Sequence, residues 1–339
     1  MIELSGRERQ MLERWQRGFP LLARPFAVVA EEAGMDEAEA LAAVRRLSEA
    51  GVICRVGAVV RPNTAGASTL AALSVPEERL EEVAAIVSAQ PEVTHNYQRE
   101  HAFNLWFVVT AADAAAVRAA LARIRAETGL EVLDLPMKRA YHIDLGFSMA
   151  GGRAVSPCRA AGHEGGGGKA KLSAFDRELL AAIEDGLPLV AEPYAEVGRW
   201  LGVAEEVVMG RLEALVEAGV ISRFGFVVHH RELGYCANAM VVWDIPDEKL
   251  DAAARIIARE DCVTLCYERP RRMPLWRYNL FCMIHGTSRD VVLAQVKALA
   301  EKVGAEAGLE DVAHAPLFSV RRFKQCGARF SAGLKKGAA

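Results

Sequence analysis

No apolar run in this 339-residue chain approaches the roughly 20 residues a helix needs to cross a bilayer, so no membrane association is expected. The opening stretch, MIELSGRERQ, is charged and lacks the apolar core of a signal peptide, which points to a cytoplasmic protein. Charge of one sign is missing too: 41 Lys and Arg stand against 44 Asp and Glu, a net −3. A protein that lives on phosphate-backbone contacts needs a basic surface, so dominant DNA binding is argued against. Seven cysteines (54, 158, 236, 262, 266, 282, 326) follow no common spacing. Cys262 and Cys266 lie close together but have neither a second pair nor a neighbouring histidine, so the metal signal is weak and buried or surface thiols are expected. Neither a Gly-x-Gly-x-x-Gly after a strand nor a Gly-x4-Gly-Lys-Ser/Thr is present, so no dedicated organic-cofactor motif is visible.

What is present is a repeat. Residues 51–60 read GVICRVGAVV and residues 219–228 read GVISRFGFVV. A shift of 168 positions holds from Ser5/Ser173 to Arg61/His229 and keeps Gly18/Gly186, Pro20/Pro188, Pro25/Pro193, Gly34/Gly202, Leu47/Leu215 and Arg55/Arg223. A unit this long is a duplicated module, not a solenoid repeat of roughly 20–50 residues. Between the copies, residues 150–171 (AGGRAVSPCRAAGHEGGGGKAK) offer no large apolar side chain except Val155. That stretch reads as a flexible linker, with Cys158 and His163 solvated inside it.

Each copy opens with three short helices, at 7–17, 25–33 and 37–50 in the first, with glycines at 34 and 51 as stops. Ala40, Leu41, Val44 and Leu47 make the apolar stripe of the third, and Val208, Leu212, Leu215 and Val216 repeat it before Gly219. A strand pair starting at Gly-Val-Ile completes a winged helix-turn-helix. The period then changes to strand 69–75, helix 80–90, strands 93–100 and 103–110, helix 113–128, and a last strand with its tail in 130–147. The second copy follows with 238–243, 250–259, 263–269, 278–285, 288–302 and 309 onward. This β-α-β-β-α-β order is ferredoxin-like. The expected fold is α+β, with winged helix-turn-helix domains at 1–62 and 172–232, ferredoxin-like domains at 63–149 and 233–330, the linker 150–171, and a tail at 331–339.

The third helices make poor DNA readers. Helix 37–50 sets Arg45 and Arg46 against Glu37, Glu39 and Glu49, and helix 205–218 sets Arg211 against Glu205, Glu206, Glu213 and Glu217. Acidic faces of this kind repel a duplex, so the module reads as packing.

Ionisable groups gather in two matching strand regions. In the first copy Arg99, Glu100 and His101 precede Asn104, and side-chain alternation puts Arg99 and His101 on one face with Tyr97. Phe103 and Trp106 beside them suit a flat conjugated ligand; the plainer reading is a solvated hairpin tip with an exposed Arg99–Glu100 pair. In Lys138-Arg139-Ala140-Tyr141-His142-Ile143-Asp144, His142 and Asp144 share the polar face, either as functional groups or as a satisfied strand pair. In the second copy Arg269 answers Arg99 and is followed by Pro270-Arg271-Arg272-Met273-Pro274. After this five-residue insertion Trp276 stands where His101 stands, with Tyr278 just beyond. The copy ends Arg321-Arg322-Phe323-Lys324 where the first has Tyr141 to Asp144. One copy is histidine-bearing, the other rich in Arg and Lys. His229, His230 and His285 read as wing or strand surface.

Winged helix-turn-helix followed by βαββαβ is the order of the Lrp/AsnC regulators, which ERLEALVEAGVISRFGFVV resembles. The stretches at 97–107 (YQREHAFNLWF), 140–147 (AYHIDLGF), 276–286 (WRYNLFCMIHG) and 321–325 (RRFKQ) resemble a narrower family, the sirohaem decarboxylases. The first copy is similar to their NirD-type (AhbA-like) subunit and the second to their NirL-type (AhbB-like) subunit, over essentially the whole chain except the linker. The resemblance implies a fused carboxy-lyase that removes CO2 from two acetate side chains of sirohaem to give 12,18-didecarboxysirohaem, in haem d1 or alternative haem biosynthesis. It implies halves that pair with each other, no metal site and no cofactor beyond the iron of the substrate; a further homo-oligomer is left open.

A substrate carrying eight carboxylates needs several fixed cations, and the arginine fork suits a carboxylate at any working pH. Loss of CO2 leaves an electron pair that needs a proton, for which a histidine near neutrality is the usual donor. The candidate catalytic residues are therefore His101, Arg99, His142 and Tyr97. The candidate substrate-binding residues are Arg139, Trp106, Arg269, Arg271, Arg272, Trp276, Tyr278, Arg321, Arg322 and Lys324. Two other classes compete, an Lrp/AsnC-type transcription regulator and a non-catalytic tetrapyrrole-binding protein.

Overall fold

The computed structural model describes residues 4–61, 64, 66–143, 172–228 and 237–327. The expected linker, its Cys158 and His163, Asp144, His229, His230 and the tail lie outside the described residues. The first copy contains α1 (Gly6–Arg14), α2 (Pro25–Ala33), α3 (Glu37–Glu49), β1 (Ile53–Val60), β2 (Ala67–Leu73), α4 (Leu80–Ala89), β3 (Val93–Arg99), β4 (Leu105–Ala111), α5 (Ala114–Thr128), β5 (Leu133–Pro136) and β6 (Arg139–Ile143). The second contains α6 (Ala174–Ala182), α7 (Pro193–Leu201), α8 (Glu205–Glu217), β7 (Ile221–Val228), β8 (Ala237–Trp243), α9 (Leu250–Arg259), β9 (Val263–Glu268), β10 (Leu280–Gly286), α10 (Arg289–Ala307) and β11 (His314–Gln325). These elements form two compact units, one of α1–α3 and α6–α8 with β1 and β7, the other of everything else.

In the helical unit, Ser5 and Ser173 open α1 and α6 with reciprocal capping boxes to Glu8 and Asp176. The wing differs from the expected strand pair within each copy. Among the described residues each copy contributes one strand, and β1 pairs antiparallel with β7, Gly57 facing Gly225. A lone strand leaves its N–H and C=O groups unpaired, and the other copy supplies a matching edge. Gly225 is required by this exchange, because a Cβ there would stand 2.4 Å from the Trp15 carbonyl oxygen. The Phe226 N–H donates to Trp15 O (2.9 Å) and the Phe19 N–H to Phe224 O (3.1 Å), stitching the copies at that point.

The arginines of α3 and α8 are engaged by groups of the same helical unit. Arg45 donates to the Leu189 carbonyl (2.7 Å), Arg46 pairs with Glu8, and Arg211 pairs through Nε and Nη2 with the buried Asp176. The Arg211 guanidinium and the capping N–H of Ser173 hold the Asp176 carboxyl down to about 2.

The second unit is one nine-stranded sheet in the order β5-β2-β4-β3-β11-β8-β10-β9-β6. Within it, β5-β2-β4-β3 and β11-β8-β10-β9 are two ferredoxin-like sheets, each covered on its outer face by its own helix pair. The expected single last strand of the first copy is split: β5 stays on β2, while β6 crosses to β9 of the second copy. β11 does the same in one piece, with His314–Phe318 on β8 and Ser319–Gln325 on β3. Only Met137 and Lys138 separate β5 from β6 at the two ends of the order, so the sheet must curl until its ends meet. The enclosed inner face is apolar, with Ala72, Trp106, Leu133 and Leu135 of the first copy against Met240, Val242, Trp276, Phe281 and Leu317 of the second.

Candidate functional site

The site grows from two equivalent hairpin connections, β3–β4 and β9–β10. Asn104 fixes the first: its side chain accepts from the Val75 N–H (2.9 Å) and donates to the Val75 carbonyl (2.8 Å). Asn279 fixes the second identically, with Ile245 N–H (3.0 Å) and Ile245 O (2.8 Å). On this common frame the first copy places a short turn holding His101, and the second places the insertion Pro270 to Pro274 and then Trp276.

β3 stops at Arg99, so strand alternation does not reach His101 and the two do not share a strand face as expected. Arg99 is buried and donates through Nη1 to the Leu317 carbonyl (2.9 Å). His101 is half-buried, with Nδ1 accepting from the Phe103 N–H (3.0 Å), which places the proton of the neutral ring on Nε2. Its ring packs edge-on against Trp276 at 5.3 Å and near-parallel to Phe103 at 6.3 Å between centroids. Burial pushes the imidazole below its ordinary value. Glu100, which the plainer reading pairs with Arg99, receives both terminal nitrogens of Arg289, each at 2.7 Å.

His101 lines an open cleft of about 470 Å³ with Asp244, Arg271, Trp276, Arg277 and Tyr278, and with Met273 to Leu275 of the insertion. Met273 and Leu275 are 69 % and 65 % exposed, so the insertion presents an apolar rim. Arg271 is tied to Asp244 (Nη2 to Oδ1, 2.9 Å), to Asp247 and to the Ile245 carbonyl. Arg277 donates from Nε to the other Asp244 oxygen (2.6 Å). The guanidinium groups hold the Asp244 carboxyl below its ordinary value against the opposing effect of burial. A second cleft of about 610 Å³ shares Arg271 and is lined by Lys138, Arg139, Tyr141, Asp251 and Glu268. There Arg139 pairs with Asp251 (2.7 Å) and lies 4.7 Å over the Tyr141 ring, whose phenol is pushed up by burial.

Of the residues singled out in the sequence, His101, Arg271, Trp276 and Tyr278 therefore meet in one cleft, and Arg139 lines its neighbour. Trp276 forms the floor, 1 % exposed, and Trp106 lies 2 % exposed behind it with its indole N–H on the Phe103 carbonyl. Trp106 is thus a core residue and not the open wall expected of it, because the curled sheet closes over its face. Arg269 is likewise drawn in: it donates to the Leu135 carbonyl, and burial lowers it to about 10. Arg272 reaches the Asp134 carbonyl (2.9 Å) from the surface.

The remaining candidates gather along β3 and β11. The Tyr97 hydroxyl donates to Gln325 (2.9 Å), as does Arg322 (3.1 Å); Arg321 pairs with Glu81; Lys324 donates to the Ser88 and Gln90 carbonyls at the end of α4. His142 lies on β6 opposite Cys266, half-buried. Sequence reasoning missed Arg277, Asp244 and Asp247. A signal for them was available, since Asp244 and Asp247 replace Ser74 and Glu77 of the first copy beside an inserted Arg271. Among the described residues no group of three or more His, Cys, Asp and Glu could hold a metal ion, and no helix is long and apolar enough to cross a membrane.

Comparison with known proteins places this geometry. Residues 65–142 and 232–324 match a family model described as an AsnC-like ligand binding domain, and residues 8–53 and 176–221 match one described as a siroheme decarboxylase NirDL-like HTH domain. The chain is 46 % identical over 330 residues, 96 % of its length and 98 % of the relative's, to a protein of Paracoccus denitrificans named siroheme decarboxylase NirDL subunit. A half-length relative of Pseudomonas aeruginosa, named siroheme decarboxylase NirD subunit, is 54 % identical over 145 residues, 43 % of this chain and 97 % of its own. A crystal structure of the siroheme decarboxylase NirDL in complex with an iron-uroporphyrin III analogue superposes with a TM-score of 0.67 at 30 % identity, covering 96 % of this chain and 95 % of that one.

Proposed function

The chain belongs to the sirohaem decarboxylases of the NirDL type, and from that membership we propose that it removes CO2 from two acetate side chains of sirohaem, giving 12,18-didecarboxysirohaem. In reaction class it is a carboxy-lyase. The observation that carries the reading is the meeting, in one cleft, of a half-buried histidine, two arginines and an exposed apolar rim. Guanidinium groups suit the substrate's carboxylates, and the rim from Met273 to Leu275 with Tyr278 suits the macrocycle.

Each turn of the reaction breaks the bond between the methylene and carboxylate carbons. CO2 departs, the electron pair remains on the methylene and spreads into the conjugated ring, and one proton converts the methylene to a methyl group. The balance is redox-neutral, so the reading needs no cofactor beyond the substrate's own iron. His101 is the proton source in this reading. In the free protein burial disfavours the charged ring, and the carboxylates of an arriving substrate act in the opposite sense, favouring the imidazolium that can give up a proton. The guanidinium charge of the cleft serves binding and orientation rather than proton transfer, since arginine, always cationic, is a poor acid.

A regulator would need accessible cations on α3 and α8. Arg45 is held by a backbone carbonyl, Arg46 and Arg211 are paired with carboxylates, and both helices carry an excess of glutamates, which supports a retained packing module instead, without DNA as partner. Anaerobic incubation with sirohaem followed by mass spectrometry tests the proposal. Two successive losses of CO2 are expected; a single loss, or sirohaem returned unchanged, would overturn it, the latter in favour of a carrier.

A further inference from the structure

The cleft holds two arginines, and their donors are used very differently. Arg271 gives Nε and Nη2 to Asp244, Nη1 to Asp247, and Nη2 again to the Ile245 carbonyl. Four of the five N–H groups of a guanidinium are thereby engaged. Asn279 closes the arrangement by donating to both Ile245 O (2.8 Å) and Asp247 (3.2 Å). Arg271 is therefore part of the wall. Arg277 is held by one contact, from Nε to Asp244 Oδ2 at 2.6 Å, and its side chain is 61 % exposed. Among the described residues neither terminal nitrogen, the pair that grips a carboxylate end-on, has a partner, and the side chain lines the cleft.

Asp244 itself is well fixed. It directly follows β8, its N–H donates to the Ala313 carbonyl (2.9 Å), and its carboxylate is 17 % exposed between the two guanidinium groups. An acidic side chain in a pocket for a polyanion works against binding unless it organises a cation, and Asp244 organises two.

We propose that Arg277 anchors a substrate carboxylate in the His101 cleft and that Asp244 is its positioning residue, with Arg271 serving as structure. The assignment rests on the sirohaem reading above and refines it. It uses a division between the copies: Ser74 stands where Asp244 stands, Ala102 where Arg277 stands, and Arg271 belongs to the insertion, so only the second copy builds this fork.

The test pairs turnover with equilibrium binding of iron uroporphyrin III, an octacarboxylate followed by its absorbance, and of haem, which carries only two propionates. Arg277→Ala is expected to raise KM for sirohaem and Kd for iron uroporphyrin about tenfold, leave kcat within about twofold, and leave haem affinity unchanged. Asp244→Asn is expected to do the same, and Asp244→Glu to recover most of the loss. The double variant Asp244→Asn/Arg277→Ala is expected to bind within about twofold of Arg277→Ala alone, because Arg271 keeps Asp247 and the Ile245 carbonyl and the aspartate reaches the substrate through Arg277. Additive losses, a fall confined to kcat, an equal fall in haem affinity, or unchanged binding in Arg277→Ala would each overturn the assignment. Arg277 is exposed, so its replacement leaves the fold intact even if Asp244→Asn does not. Wild-type protein that binds iron uroporphyrin yet never decarboxylates sirohaem would refute the function and leave the anchor standing.

Discussion

The indole of Trp276 meets that of Trp106 edge-on, with centroids 5.2 Å apart and planes inclined by 63°, so the inserted loop of one copy is seated on the sheet of the other. The same ring touches His101, Phe103 and Tyr278 at 5.3, 5.9 and 5.0 Å. One buried side chain thus supports the core and the histidine together. Trp276→Ala is expected to lower the stability of the sheet unit by about 3–5 kcal/mol, measured by denaturant unfolding, because the cavity cannot collapse between two copies. Trp276→Phe is expected to cost less and to keep His101 in place. A loss below about 1 kcal/mol in Trp276→Ala would show that the insertion is not seated in this way.

His101 gives the second prediction. His101→Ala is expected to bind sirohaem, seen by its absorbance, and to turn it over about 10²- to 10⁴-fold more slowly, the usual contribution of a positioned acid. Because burial disfavours the charged imidazole in the free protein and substrate carboxylates favour it, binding should take up a proton. Affinity should therefore rise as pH falls through the ordinary histidine range, and His101→Gln should abolish that rise. Near-normal turnover in the alanine variant would move the proton donor to His142.

The sequence revealed most of the fold because its two signals are local. Helix stripes such as Val208, Leu212 and Leu215, and the change to strand period after the wing, follow from burial along a single element. What it could not show is which copy a strand joins. β1, β6 and the end of β11 all find partners in the other copy, and an unpaired strand edge carries no mark of whose edge will satisfy it. The site suffered from the same gap. Arg99 and His101 are two apart in sequence, yet the strand ends between them, while Arg271 and Arg277 line the same cleft as His101 from the other copy, placed by an insertion whose path no periodicity predicts.

Asp176 and Arg211 give a prediction outside the cleft. The folded carboxyl stands at about 2 against an ordinary 3.8, so its stabilisation is fully present above the unfolded value. It is lost as pH falls from about 4 through about 2, and is worth ~2 kcal/mol at neutral pH. Asp176→Asn should flatten the acid limb of the stability curve across that window. Arg211→Ala should be the more harmful at pH 7, since it leaves a buried carboxylate without its cation. Equal acid limbs in wild type and Asp176→Asn would refute the pairing.

The last prediction concerns the two copies as separable pieces. Residues 150–171 have no composition for a core, and a half-length relative exists as its own polypeptide. Each copy alone would expose β1 or β7, and would leave β3 or β9 as an open edge with a stray terminal strand. Open edges of that kind drive association or aggregation. Residues 1–149 and 172–339, co-expressed as separate chains, are therefore expected to co-purify as a one-to-one complex that decarboxylates sirohaem, whereas either piece alone should aggregate. The check is size-exclusion chromatography with mass spectrometry of the peak, followed by the turnover assay. Two folded pieces that remain apart would contradict the exchanged strands, because β6 and the end of β11 would then have to be satisfied within their own copies.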